Sequence, residues 1–251
     1  MTTLEKIQSF DLKPFEEESK NDLNFYAGIG KDLVPGGIFE RFPILRPAVG
    51  EHYWREDNVH KKLLIVGESN YIKALNSEAI RNPQLWYKDA DQNQLIPKAI
   101  ESKFSNWKDG SKGHTGRLFK AIREELDKHD ITHGDYLLNE VSYYNYFLRP
   151  AHKEKGHYYF GYCYEDADLE VAGTALAHII YRLAADMVIF VSKFSYRCFT
   201  DFLAKEGIAI KDFPCLKEEG LYAVPHPSSR YWYSYGKEEF QQLLEAHWIN
   251  H

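Results

Sequence analysis

The chain has 251 residues, a formal net charge of −6, and 44% hydrophobic, 27% charged and 15% aromatic residues. That apolar fraction can bury a core, which excludes wholesale disorder, and no apolar run approaches the length needed to cross a bilayer. The acidic balance argues against a protein that coats nucleic acid nonspecifically, while leaving room for a local basic face.

The length suits one large α/β domain spanning residues 1–251. Residues 1–60 are broken by Pro14, Pro35, Pro43, Pro47 and Gly36-Gly37, so they read as a helical and wrapping N-terminal extension rather than a separate unit. The N-terminus has no basic stretch followed by an apolar one, so the expectation is a cytoplasmic protein without a leader or membrane segment. Cys163, Cys198 and Cys215 are odd in number and lack CxxC spacing. They fit reduced, buried thiols better than disulfides or a zinc site, and no metal or other cofactor is implied.

From residue 61 the pattern alternates between strand and helix. Lys62 to Gly67 is a short apolar run ending in glycine, as a strand buried on both faces should look. Thr115 to Lys128 follows the helical period, with Thr115 as N-cap. Tyr136 to Val141 reads as the second strand and Asp168 to Ala185 as a long apolar helix. Met187 to Val191 is the third strand, Phe194 to Glu206 a helix, Leu221 to Val224 the fourth strand and Glu238 to His247 the last helix. The expected architecture is a three-layer α/β/α fold around a central four-stranded, mostly parallel sheet.

Charge is uneven along this framework. Between Lys103 and Arg123 six basic residues, Lys112 and Arg117 among them, face only Asp109. A solvated loop entering a helix explains such a run, and so does a phosphate-binding surface. His114, His129 and His133 lack metal-ligand spacing and are expected to face solvent.

In parallel sheets ligands bind beyond the carboxyl ends of the strands. The residues there are Gly67-Glu68-Ser69-Asn70-Tyr71, then Asn139 with Ser142-Tyr143-Tyr144-Asn145-Tyr146, then Ser192-Lys193, then Pro225-His226-Pro227-Ser228-Ser229-Arg230. Two prolines fix the backbone around His226 and so preorganise its imidazole. Each group also has a plain structural reading. Glu68 can serve as a loop carboxylate or cap, Asn139 can bridge loops, His226 can be a satisfied turn histidine, and the tyrosines can be packing residues.

LLIVGESNY, YLLNEV and PHPSSR, in that order, resemble the motifs of the uracil-DNA glycosylase superfamily, over a layout covering residues 60–247. That superfamily carries Gly-Gln-Asp-Pro-Tyr or Gly-Glu-Ala-Pro-Gly after the first strand, an Asn in or just after a middle strand, and a His-Pro-Ser-Pro segment near the C-terminus. The resemblance implies binding of a uracil or damaged base flipped out of DNA and hydrolysis of its N-glycosidic bond. Gly67 would admit the ligand, Glu68 would match the second branch's glutamate, and Tyr71 would exclude the thymine methyl. Asn139 would read the base, His226 would donate to its O2, Ser228 would contact phosphate and Arg230 would wedge into the stack. Lys112 and Arg117 would add phosphate contacts at the pocket mouth.

The chain departs from the family at Ser69, where the best-known branch has the water-orienting Asp, and at Asn70 and Ser229, where it has Pro. Loss of that carboxylate should slow hydrolysis by orders of magnitude unless another group substitutes. The four cysteines of the iron-sulfur branch are absent. The alternative is therefore a catalytically weakened or inactive member that binds a nucleobase or DNA. A hydrolase using Ser69 as nucleophile and His226 as base ranks last, because Ser69 lacks a Gly-x-Ser-x-Gly elbow.

Overall fold

A computed structural model describes residues 2–8, 23–54, 59–71, 78–88, 116–129, 137–151, 161, 163–216 and 219–249. Five strands form one mixed, mostly parallel sheet among these residues: β1 (Ala48–Val49), β2 (Leu63–Tyr71), β3 (Ser142–Ala151), β4 (Met187–Phe190) and β5 (Leu221–Ala223). Their order is β1-β3-β2-β4-β5, with β1 antiparallel to β3 and the other pairs parallel. The fold is therefore α/β. The expectation of four strands is corrected by β1, which is only two residues long and leaves no periodicity to read.

The strands are apolar for the reason their sequence suggests: both faces are covered. Leu64, Val66, Tyr144, Tyr146, Val188 and Phe190 join one core cluster, and Leu63, Ile65, Tyr143, Met187 and Ile189 join another. This odd–even division follows from the period of two along a strand. The first cluster is closed by α6 (Asp166–Arg182), by α7 (Lys193–Glu206) and by N-terminal residues that include Tyr26, Ile38, Phe39 and Tyr53. The second is closed by α5 (Gly116–Leu126) and by a C-terminal helical run centred on α8 (Lys237–Leu243). Each fully buried Leu or Val contributes roughly 1.5–3 kcal/mol relative to exposure.

The N-terminal extension supplies the short α1 (Thr3–Gln8) and α2 (Ile38–Arg41). Two further short helices, α3 (Glu78–Arg81) and α4 (Pro83–Lys88), had no clear periodicity. α7 begins at Ser192, whose Oγ accepts the Ser195 N–H at 3.3 Å, and stops at Gly207, whose φ of 67° is the left-handed value that glycine tolerates. The C-terminal run exceeds its predicted bounds, because π-helical turns at Trp232–Gly236 and Leu244–Trp248 flank α8. The largest displacement concerns the second strand. Leu137–Glu140 is a 3-10 turn and β3 starts only at Ser142. The apolar pair Leu137-Leu138 imitates a strand, while β3 itself is buried almost throughout and shows no alternation.

Two buried polar clusters pin β3 at its ends. At the amino end Glu140 bonds His52 Nδ1 and His60 Nε2, both at 2.8 Å. Burial alone would raise its pKa, but the hydrogen bonds from His60 and His52 outweigh that and hold it at about 2. At the carboxyl end Arg149 and Asp168 form an ion pair with both side chains fully buried. Arg149 Nε donates to Asp168 Oδ1 at 2.8 Å, and its other nitrogens reach the carbonyls of Ile80 and Cys163 at 2.6 and 2.5 Å. Asp168 also accepts Tyr87 Oη at 2.8 Å and the Glu165 N–H at 3.0 Å.

The cysteines are free but partly rather than fully buried, and burial pushes the Cys198 thiol up to about 11. His129 packs edge-on against Trp248, 6.4 Å between ring centres, so it does not simply face solvent. His114 and His133 lie outside the described residues.

Removing one member of the Arg149–Asp168 pair leaves an uncompensated buried charge. Arg149→Met should lower unfolding free energy by about 3–5 kcal/mol, and Arg149→Met combined with Asp168→Leu should recover much of it, as read by urea denaturation. The depressed Glu140 pKa is a stabilising contribution that is complete above the ordinary 4.5 and is lost as pH falls through about 2. Wild type should therefore lead Glu140→Gln by about 3 kcal/mol near neutrality, and the gap should close by about pH 2 in acid titrations of stability.

Candidate functional site

The chain runs from β2 to β3 on one side of it, then crosses back to β4 on the other. The switch point of the sheet lies between β2 and β4, the place where sheets of this kind bind ligands beyond the carboxyl ends. Glu68, near the end of β2, and Ser192, just after β4, meet across it. Ser192 Oγ donates to Glu68 Oε2 at 3.0 Å while accepting the Ser195 N–H. Thus the hydroxyl that caps α7 also holds the carboxylate at the positive end of that helix.

On the β3 side, Gly67 pairs in register with Asn145. A Cβ at Gly67 would lie 2.1 Å from Tyr143 Oη and 2.4 Å from Asn145 Oδ1, so a side chain there would collide with both. Tyr143 Oη donates to Asn145 Oδ1 at 2.8 Å, and Asn145 Nδ2 donates to Asn70 Oδ1 at 3.1 Å. The Asn145 amide is thereby engaged at both its oxygen and its nitrogen. One lone pair and one N–H remain to it. Tyr143 is buried against Phe119, centroids 4.9 Å apart, and forms the floor below.

On the β5 side, the Val224 N–H extends the pairing to the Phe190 carbonyl, and the chain then turns through Pro225-His226-Pro227. The Ser229 N–H closes the turn on the His226 carbonyl at 2.8 Å. Nδ1 of His226 accepts the Ser228 N–H at 3.1 Å and lies 2.7 Å from Ser228 Oγ. A backbone amide can only donate, so Nδ1 is unprotonated and the ring proton sits on Nε2. Burial pushes the His226 pKa down to about 4, which keeps the ring neutral at ordinary pH.

The sequence-predicted residues divide into those gathered at this edge and those elsewhere. Gly67, Glu68 and Ser69 lie near the end of β2, Ser69 in register with Phe147, and His226 and Ser228 lie beyond β5. Tyr71 is the last residue of β2; its side chain lies outside the described residues. Arg230 is exposed, its guanidinium 4.9 Å from the Tyr231 ring centre. Lys112 is outside the described residues, as are Phe104 and Trp107, two aromatics that the family resemblance offers as candidates to stack on an extruded base. Arg117 is the second residue of α5, with its side chain likewise outside. Asn139 stands apart. It belongs to the 3-10 turn before β3, where its carbonyl accepts the His52 N–H at 2.8 Å. β3 runs parallel to β2, so Asn139 lies at the amino edge, and the strand from Ser142 to Asn145 alone adds about 10 Å. The asparagine that the structure brings beside Gly67 is Asn145. Asn145 and Ser192 were among the residues flanking strand ends in the sequence; what hid their importance was the true start of β3.

No three His, Cys, Asp or Glu side chains converge as a metal site among the described residues, and no helix there is long and apolar enough to cross a membrane. Neither protein-family models nor curated proteins yield a match to this chain.

The tautomer argument is open to direct measurement. In an NMR titration His226 should remain neutral and Nε2-protonated from pH 7 down to a midpoint of about 4. A midpoint at the ordinary 6.5 would remove it as a neutral donor.

Proposed function

We propose that this carboxyl edge binds a uracil extruded from DNA and that the protein hydrolyses its N-glycosidic bond, in the manner of the uracil-DNA glycosylases. The observation that carries the reading is His226, a neutral imidazole held by its own turn with the N–H on the outer nitrogen. Its position after the last parallel strand agrees with the family motif. The order β3-β2-β4-β5 puts the Gly-Glu and Asn145 positions on neighbouring strands and His226 beyond the far one. Three strand spacings, about 14 Å, separate β3 from β5. A pyrimidine ring with one side chain reaching in from each end fits such a span.

In this reading Asn145, rather than Asn139, reads the base. Its remaining N–H donates to O4 and its carbonyl accepts N3–H, a pairing that cytosine cannot satisfy at both points. As the bond from the sugar C1′ to the base N1 breaks, the base leaves with the electron pair and negative charge builds on O2. His226 Nε2–H, already oriented and uncharged, stabilises that charge without transferring its proton. Water then adds to C1′. Ser69 cannot take the proton that water loses, but the adjacent Glu68 carboxylate can, and it also faces the cationic sugar. Unstacking the nucleotide costs roughly a few kcal/mol, offset by contacts to its neighbours.

A second reading is favoured by Ser69 itself: a binding protein that keeps the pocket without turnover. Oligonucleotides bearing one uracil, single- and double-stranded, separate the two. Wild type should release uracil, with His226→Ala slowing release by roughly 100- to 1,000-fold, Asn145→Ala by a similar factor and Asn139→Ala hardly at all. Absence of any abasic product from folded protein defeats the enzymatic reading. Cleavage gained only with Ser69→Asp supports the binding protein.

A further inference from the structure

Large exposed aromatic side chains among the described residues are few: Tyr164, Tyr231, Tyr233 and Tyr235. Three of them fall within five positions of one another, directly after the His226 turn. They are 47%, 69% and 40% exposed, respectively, whereas Tyr26, Tyr53, Tyr87, Tyr143, Tyr144 and Tyr146 are buried in the core. The backbone explains the display. Trp232 and Gly236 are buried one helical turn apart, Trp232 against Phe240 with centroids 5.7 Å apart. A Cβ on Gly236 would come within 3.1 Å of the Pro225 ring, so glycine allows the segment to seat closely on the root of the His226 turn. With those two positions facing inward, Tyr231, Tyr233 and Tyr235 project outward from a π-helical turn, a geometry found disproportionately at functional sites.

Each tyrosine carries a cation. Arg230 lies 4.9 Å from the Tyr231 ring centre, Lys237 5.4 Å from Tyr233, and Lys193 5.4 Å from Tyr235. Tyr231 and Tyr235 are themselves neighbours, with centroids 6.1 Å apart. Lys193 is the first residue of α7, next to the Ser192 that holds Glu68, so the patch adjoins the switch point as well as the His226 turn. Tyr231 and Tyr235, four positions apart, share one face with Arg230 and Lys193, whereas Tyr233, two positions from each, turns with Lys237 toward the other side of the helix. The rings and cations of the first face match bases and phosphates. We propose that this tyrosine ridge is a docking surface for single-stranded DNA, which stacks bases on Tyr231 and Tyr235 as the strand leaves the carboxyl edge. The inference deepens the glycosylase reading by naming the form of DNA the site takes, and rests on that reading for the direction of the strand.

Magnitudes decide which part of the ridge dominates. Lys193 and Lys237 already share charge with Glu239 at 3.7 Å and Glu125 at 3.4 Å, whereas Arg230 has no carboxylate partner among the described residues. At most three phosphates can be neutralised, so the slope of log affinity against log salt should be no steeper than about −2. Stacking, at roughly 5- to 100-fold in affinity per base, outweighs it.

The experiment is fluorescence anisotropy with the full chain and a labelled uracil-free oligothymidylate of about 16 nucleotides. Wild type should bind it more tightly than the matching duplex. Tyr231→Ala and Tyr235→Ala should each weaken binding by roughly 5- to 100-fold, with Tyr235→Phe close to wild type and thermal melting unchanged. Arg230→Ala should lower the salt slope by about 0.7. Equal binding by the alanine variants, a duplex preference or no binding by wild type each overturns the ridge. If wild type never releases uracil, yet binds oligothymidylate and loses that binding in the tyrosine variants, the ridge stands and the glycosylase reading fails.

Discussion

The buried pair between Arg149 and Asp168 is the constraint on which the arrangement of the sheet depends. It sits where β3 ends and where the long crossover helix α6 begins, and it gathers Tyr87 and the Ile80 and Cys163 carbonyls around one guanidinium. Taking both charges out of water costs several kcal/mol per ion, and the cost is offset only because nearly every donor and acceptor is met. The geometry is correspondingly unforgiving. β3 cannot slide against α6 without stranding a charge, and a slide of one residue would turn every side chain of β3 to the opposite face. Asn145 owes its place beside Gly67 to this anchoring.

At the other end of β3 the Glu140 cluster does the same work with a different chemistry. His52 and His60 come from the segment leading into β2, so Glu140 ties the start of the two neighbouring central strands together. Between these two polar anchors the sheet is almost wholly apolar, closed by core clusters on both faces. At the carboxyl edge a further set of polar groups, Glu68, Asn70, Asn145, Ser192 and His226, lies near the strand ends. Their hydrogen bonds are mutual: glutamate with serine, asparagine with asparagine and tyrosine, histidine with its own turn.

Much of this could be read from residues alone, for reasons that differ along the chain. Leu63 to Val66 and Met187 to Phe190 are unbroken apolar runs, the signature of strands covered on both faces, and both were located to within a residue or two at their starts. α7 was expected over Phe194 to Glu206 and starts one residue earlier, at Lys193. β3 defeated the same reasoning because its tyrosines are as buried as its aliphatics, so neither alternation nor hydropathy marks its start. Leu137-Leu138 supplied a false one. The error mattered, since it moved attention to Asn139 at the amino edge and away from Asn145. The tautomer of His226 was beyond sequence altogether, because it depends on one backbone N–H pointing at one nitrogen. Exposure of the three tyrosines after His226 was also hidden: a Tyr-rich chain gives no local hint of which rings face water.

The single hydroxyl of Ser192 has an unusual standing in such a molecule. Its oxygen begins a fourteen-residue helix and its hydrogen aims the Glu68 carboxylate at the switch point. Helix start and carboxylate aim are usually separate properties of a protein, free to drift independently as sequences change. Here they are a single variable. Any replacement that keeps the helix properly begun must keep a small oxygen in the same place, and that oxygen brings the carboxylate with it. Relatives that hold on to the fold would then inherit the pose of Glu68 without selection ever acting on its chemistry.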